Sequence, residues 1–248
     1  MTLSFRTAVG GRIDRNQPLN FQFQWPNSQN AGDLAIITVG LYSQNTLDGL
    51  RLNDPLNGDY IPVEPIRFSS TGGFLHNIYY LPNITNSGNN VVNFSLPYEI
   101  PNIDIRYAEF SGITYSSVQG TPNRGGLITS QSLVCHPTAI PPRGNYPPLY
   151  KITSGLCRID ETGKNLNFLV YAAAISGSGI SRVLAGQSGT LLTLLDISSN
   201  GNIHAFSNVI GNVLVSGDFV NNGPPYGDWI DQLCVFNCSG VTIPPPSL

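Results

Sequence analysis

The chain has 248 residues, of which 41% are hydrophobic and 11% charged, and its formal net charge is -3. That length and apolar content are enough to bury a core, which excludes an intrinsically disordered chain. Lys151 and Lys164 are the only lysines among twelve basic residues, so no basic field is available to hold a nucleic-acid backbone. We therefore expect no nucleic-acid partner.

The composition predicts an all-β fold. The 26 glycines and 19 prolines, together with many asparagines, suit tight turns, and the Val, Ile, Tyr and Phe residues between them suit pleated strands. No window combines helical periodicity with capping residues, so helix should be nearly absent.

The start of the chain, "MTLSFRTAVG", lacks the basic region, apolar run and cleavage site of a signal peptide, and no apolar run reaches the length of a membrane span. We expect synthesis without a signal peptide and no membrane partner. Residues 1–18 are predicted to form an N-terminal arm.

The first strands have clear patterns. In "LNFQFQW" (19–25) Leu19, Phe21, Phe23 and Trp25 alternate with polar residues, which predicts a half-buried strand. "LAIITVGLY" (34–42) is almost wholly apolar, as in a central strand covered on both faces. The following apolar runs to residue 113 suggest a meander of antiparallel strands.

The segment "DGLRLNDPLNGD" (48–59) gathers Asp48, Asp54 and Asp59 without the ligand spacing of an EF-hand. A calcium site in this loop is left open.

Three charges lie close together in "PNIDIRYAEFSGI" (101–113). Strand alternation places Asp104 and Arg106 on one face, where the simplest interpretation is a solvent-facing ion pair. Asp104 and Glu109 would face opposite sides of the strand, which argues against a catalytic pair of carboxylates. His76, His136 and His204 have no metal-ligand spacing, so no catalytic, cofactor or metal residue is predicted.

Residues 114–147 are rich in Pro, Gly, Ser and Asn and are predicted to form a long surface excursion with at most one strand. Aromatic residues near Gly or Pro could contact a ligand or partner, although such residues more often pin loops to the core. They are Tyr115, Tyr146, Tyr150, Tyr226 and Trp229.

Four cysteines, Cys135, Cys157, Cys234 and Cys238, allow three disulfide pairings. Cys234 and Cys238 would share a face of an extended strand. Buried unpaired thiols, at least one disulfide and a zinc site all remain open, although neither pair has the short spacing of a zinc ribbon.

Strand patterns return after residue 147 and continue to about 237, and "VTIPPPSL" (241–248) is predicted to be an extended Pro-rich tail. "GDLAIITVGLYS" (32–43) and "KNLNFLVYAAAIS" (164–176) resemble each other, which suggests corresponding central strands. We predict one large antiparallel sandwich over residues 19–240, rather than two domains.

The runs "AGDLAIITVGLY", "HNIYYLPNITNSGNNVVNFSL" and "IDIRYAEFSGI" resemble the layout of β-sandwich modules in bacterial surface and phage-encoded structural proteins. Those modules have an "AGDLLV"-like strand, a "YYAKN…G.NTVTVTF"-like hairpin and an "R..EYSG"-like strand. The resemblance covers residues 31–113. It implies a sandwich of jelly-roll type with a structural or adhesive role, and it implies no catalytic residues.

We therefore expect a non-enzymatic assembly subunit: a capsid-decorating or tail-associated virion protein, or a surface-filament subunit. It would form a trimer or larger homo-oligomer, contact other structural proteins, and work in a virion or at an extracellular surface, without a cofactor. The alternative is a carbohydrate-binding or adhesive module that contacts glycans through its loop aromatics.

Overall fold

The computed structural model describes residues 3–14, 18–42, 48–69, 73–113, 127–135, 150–159, 167–176, 180–183, 193–197, 202–210, 214–221 and 228–238. These residues form twenty β-strands, and none of them forms a helix that could cross a membrane. All pairings between the strands are antiparallel. The all-β prediction is confirmed.

The described residues of the first half of the protein, within 3–113, form ten strands in two sheets. The strands are β1 (Ser4–Ile13), β2 (Asn20–Gln29), β3 (Leu34–Tyr42), β4 (Arg51–Asp54), β5 (Gly58–Asp59), β6 (Ile61–Pro62), β7 (Arg67–Ser69), β8 (Phe74–Leu81), β9 (Gly88–Ser95) and β10 (Ile103–Ser111). The first inner sheet has the order β1-β10-β3-β8-β6, with β7 also paired to β8. The first outer sheet has the order β2-β9-β4-β5.

The second half, residues 127–238, repeats this division. Its strands are β11 (Leu127–Cys135), β12 (Tyr150–Thr153), β13 (Cys157–Arg158), β14 (Asn167–Ser176), β15 (Ile180–Val183), β16 (Thr193–Ile197), β17 (Asn202–Ile210), β18 (Leu214–Val215), β19 (Asp218–Asn221) and β20 (Trp229–Asn237). The second inner sheet has the order β11-β20-β14-β17-β16. The outer layer of the second half consists of the sheet β12-β19-β15 and the pair β13-β18.

Each half has its own hydrophobic core between inner and outer layers. In the first half, Ile37, Ile105 and Tyr107 of the inner sheet pack with Trp25 and Phe94 of the outer sheet. In the second half, residues from β14, β17 and β20 pack against outer-layer residues that include Ile152 and Phe219. Alternate residues of each inner strand therefore face the core of their own half.

A third hydrophobic cluster joins the two inner sheets face to face. Phe110 of β10 packs edge-on against Tyr171 of β14 and Phe206 of β17, with ring centroids 6.3 and 5.1 Å apart. Tyr80 of β8 makes a similar contact with Phe236 of β20 at 5.2 Å. Aromatic pairs in these geometries contribute about 0.5–1.5 kcal/mol each beyond their burial. The protein is thus four layers thick.

This stacking explains which strands are apolar on both faces. Residues 34–41 of β3 are all buried, as predicted for "LAIITVGLY", because one face contacts the core and the other the opposite inner sheet. In β2, Phe21 and Phe23 are partly buried and Trp25 is buried, which confirms the alternation. Leu19 precedes the strand and is 46% exposed.

The described sheets fall into two groups, one in each half of the chain, and the predicted single sandwich over residues 19–240 stays a prediction. No described sheet combines strands of the two halves, and an isolated bridge between Ile113 and Cys238 is the backbone pairing that joins them in the described residues. The resemblance between residues 32–43 and 164–176 does identify corresponding strands, because β3 and β14 are each third in their inner sheets.

The expected N-terminal arm (1–18) contains β1, which pairs with β10 from Ser4 to Ile13. One local prediction is wrong. The strands of the first half do not form a meander, because β3 pairs with β8 and β10 instead of its chain neighbours β2 and β4. The excursion at 114–147 contributes β11; its other residues, and the tail at 241–248, lie outside the described residues.

Candidate functional site

An ion pair lies in the interface between the two inner sheets. Arg106 binds Asp104 through two hydrogen bonds, Nε to Oδ1 at 2.8 Å and an Nη2 to Oδ2 bond at 3.0 Å. Both residues are 6% exposed. The predicted solvent-facing position is wrong, because the second inner sheet covers the face of β10 that carries these residues.

The second half supplies a further ligand to this pair. The side-chain amide of Asn202 on β17 donates a hydrogen bond of 3.0 Å to Oδ1 of Asp104. Gly40 of β3 lies opposite Asp104 in the strand register. A Cβ atom at this glycine would come within 3.1 Å of the Asn202 amide nitrogen. The close approach of β3 and β17 therefore depends on a residue without a side chain.

A second polar chain crosses the interface at His76. Its Nδ1 atom donates to Oε1 of Gln232 on β20 at 2.8 Å, and Nε2 of Gln232 donates to Oδ1 of Asn77 at 3.1 Å. Burial lowers the pKa of His76 to about 4, although its hydrogen bonds favour the charged form. His76 is therefore neutral near pH 7 and acts as a structural link.

His204 occupies a similar position on β17. Its Nδ1 atom shares a hydrogen bond of 2.7 Å with the hydroxyl group of Tyr171. Burial, with a contribution from the positive charge of Arg106, lowers the pKa of His204 to about 3. Burial also raises the pKa of Tyr171 well above its usual value, so both side chains of this pair are neutral.

Further polar contacts lie where β6, β7 and β11 approach one another. Glu64 accepts hydrogen bonds from Ser132 at 2.5 Å and from Arg67 at 2.6 Å, and Ser69 donates to Asp228. Burial alone would raise the pKa of Glu64, but these hydrogen bonds lower it overall. The interface thus contains an apolar centre and hydrogen-bonded polar groups.

Glu109 has a structural role on the opposite face of β10. One carboxylate oxygen accepts hydrogen bonds from the backbone and side chain of Asn30, at 2.9 and 2.7 Å, and the other accepts one from Tyr107 at 2.7 Å. Asp104 and Glu109 therefore face opposite sides of β10, as predicted.

Two of the three aspartates in the segment 48–59 are also bound to neighbours. Asp54 accepts hydrogen bonds from the backbone N–H groups of Leu56 and Asn57 at 2.7 and 3.0 Å, and Asp59 accepts one from Asn53 at 2.8 Å. Among the described residues, no group of three or more His, Cys, Asp or Glu side chains could hold a metal ion.

Three of the four cysteines have described side chains, and all three are buried. Cys234 and Cys238 lie in the hydrophobic cluster between the halves as free thiols. Cys157 belongs to the core of the second half. The side chain of Cys135 lies outside the described part of the molecule, so pairings that involve Cys135 stay predictions.

Of the predicted aromatic contact residues, Trp229 has a described side chain, and it is a core residue with 9% exposure. It begins β20 and faces the outer layer of the second half, so its burial does not support a contact role, which stays a prediction. Tyr115, Tyr146 and Tyr226 lie outside the described residues, and Tyr150 is described only as part of the β12 backbone.

The residues that link the halves were not identified from the sequence as a set. His76, Asn202 and Gln232 are separated along the chain, and no local motif connects them. The signal available in the sequence was the presence of polar residues within otherwise apolar strands, as in "FLHNIYYL" and "WIDQLCVF".

Comparison with protein-family models, with curated proteins and with solved structures gives no match to this chain.

Proposed function

We propose that the protein is a non-enzymatic structural subunit built from two jelly rolls, which assembles with copies of itself into a virion component or a surface filament. The observation that carries this proposal is the strand order. Without the short strands β6 and β7, the described part of the first half has eight strands, and counting them in chain order gives sheets 1-8-3-6 and 2-7-4-5. Eight antiparallel strands in two sheets support a jelly roll, an architecture found in viral capsid proteins, lectin domains and cupins.

The second half has a closely related order. Without β13 and β18, its strands give an inner sheet 1-8-3-6, with the fifth strand, β16, at the edge, and an outer sheet 2-7-4. The difference is β16, which pairs with β17 instead of joining the outer sheet. Two consecutive copies of one arrangement support a rigid building block.

The positions of the chemically versatile side chains favour a structural role over an enzymatic one. His76 and the Asp104–Arg106 pair are used to join the halves, and His204 is bound to Tyr171; all four residues are buried, which excludes substrate.

The open edges of the inner sheets offer surfaces for self-association. Among the described strands, β1 pairs only with β10 and β16 pairs only with β17, and the two edges lie on the same side of the protein. Phe5 on β1 and Leu194 on β16 are 41% and 42% exposed. Unpaired strand edges with exposed apolar side chains associate readily with other chains.

The low charge of the chain suits an assembled protein in a virion or at an extracellular surface, where other structural proteins cover part of its surface.

Sedimentation velocity and electron microscopy of the purified chain test this proposal. We expect the parent chain to form a trimer or larger species. Leu194→Lys should shift the size distribution toward smaller species, because it places a charge at the β16 edge. Leu56→Lys is the matched control, because Leu56 is 48% exposed in the turn between β4 and β5. A parent chain that stays monomeric at every concentration would contradict the proposal.

A further inference from the structure

A groove of about 550 Å³ lies on the first outer sheet, away from the interface between the halves. This volume falls within the range of about 300–1,000 Å³ that is typical of small-molecule sites. The groove crosses β2, β9, β4 and β5, whose outward residues form its polar walls.

The strand register arranges these outward residues in two rows. In one row, Asn20 of β2, Ser95 of β9 and Arg51 of β4 are directly opposite one another. In the other row, Gln22, Asn93, Asn53 and Asp59 follow across the four strands. Because strand side chains alternate with a period of two, both rows lie on the same face of the sheet.

Hydrogen bonds within the rows hold the side chains in place. Gln22 donates to Asn93 at 3.0 Å, and Asn53 donates to Asp59 at 2.8 Å. Each side-chain amide has a carbonyl oxygen and two N–H groups, so these bonds leave further donors and acceptors for a ligand. A ligand would therefore meet polar groups that are already oriented, which lowers the entropy cost of binding.

The charges of the groove narrow the class of ligand. Arg51 makes no ion pair or side-chain hydrogen bond with the described residues, and Asp59 balances its charge. An anion would be attracted by Arg51 and repelled by Asp59. Phe21 and Phe94, whose rings stack with centroids 4.8 Å apart, point to the opposite face of the sheet and pack with the core, so they anchor the strands that carry the polar rows.

We infer that this groove binds a neutral oligosaccharide, whose hydroxyl groups donate to Asp59 and accept from Arg51 and the amides. Sugar hydroxyls are both donors and acceptors, as the amide rows require. This site goes beyond the proposed assembly role and uses none of the loop aromatics.

The test is a glycan array probed with the labelled native protein, with neutral oligosaccharides and with sialylated or sulfated ones. Neutral glycans should be retained, and free neutral oligosaccharide should compete. Gln22→Ala and Arg51→Ala should each reduce affinity about tenfold or more, which corresponds to the loss of about 1.4 kcal/mol. Gln24→Ala is the matched control, because Gln24 is exposed on the same strand but lies outside the groove.

Gln22→Glu provides a second variant that keeps the size of the side chain but removes its N–H donors. It should also weaken binding, while circular dichroism and the assembled mass remain those of the parent. The inference is overturned if no glycan is retained, if only anionic glycans are retained, or if Gln24→Ala weakens binding as much as Gln22→Ala. Because assembly is measured separately, a failure of glycan binding leaves the proposed structural role to be judged on its own evidence.

Discussion

Asn202 of β17 donates a hydrogen bond of 3.0 Å to Asp104 of β10, and the two residues are 98 positions apart in the chain. This bond connects the second half of the protein to a buried ion pair of the first half. It indicates that the halves form a joined unit whose interface is specified by polar as well as apolar contacts.

Removal of one partner of that ion pair should be strongly destabilising. Asp104→Ala leaves the guanidinium group of Arg106 buried without its carboxylate, and we expect a loss of about 3–5 kcal/mol in the free energy of unfolding. Urea unfolding of the parent and variant measures this loss. Asp14→Ala is the control, because Asp14 pairs with Arg12 at the surface, where an ion pair contributes about 0–1 kcal/mol. Equal effects of the two substitutions would show that Asp104 is not buried in the interface.

Stability should fall as the pH is lowered below 6.5. His76 titrates near 6.5 in the unfolded chain but at about 4 in the folded protein, so acid protonates the unfolded state first. The contribution of His76 is fully present above pH 6.5 and is lost progressively down to about pH 4, by an amount on the order of 3 kcal/mol. Urea midpoints at pH 7.5 and 4.5 measure the change. The His76→Gln variant should lose less stability than the parent between these two pH values. An equal loss in the variant and the parent would refute the role given to His76.

A side chain at Gly40 should disturb the contact between the halves. Its Cβ atom would approach Cδ1 of Ile175 to 2.9 Å and the Asn202 amide, both of them buried. We expect Gly40→Val to cost about 1–3 kcal/mol, which thermal unfolding can detect. Gly88→Ala meets Leu56 at the same distance, but Leu56 is 48% exposed and can move away. We therefore expect Gly88→Ala to lower stability only slightly. Similar losses of stability at both glycines would contradict a tight contact between the halves at Gly40.

The thiols of Cys234 and Cys238 should be inert in the folded protein. Burial raises the pKa of both, that of Cys238 to about 12, so little reactive thiolate forms at pH 8. Alkylation followed by peptide mass spectrometry should find both cysteines unmodified in the native protein and modified after unfolding. Rapid alkylation of either residue in the native state would show that the interface between the halves is open.

The sequence predicts the strands better than it predicts their arrangement. The alternation in β2 and the continuous apolar run of β3 are local signals, and both are confirmed. An apolar run shows that both faces of a strand are covered, but it does not identify what covers them. Here the second cover is the other half of the chain, which explains why a single sandwich was predicted.

The same limit applies to the candidate site. Asp104 and Arg106 look like surface residues because charged side chains are rarely buried, and their burial depends on strands that follow them by about a hundred positions. Trp229 stands near turn-forming residues in the sequence, yet it is the first residue of β20 and faces the core. Neither outcome can be read from neighbouring residues.

Light scattering of the purified native protein, with and without reducing agent, measures its mass in solution and tests the proposed assembly. We expect a trimer or larger assembly that contains no bridges through Cys234 or Cys238, because both are free and buried between the halves. A mass of 26.7 kDa, that of a single chain, at all concentrations would contradict the proposal that this protein is an assembly subunit.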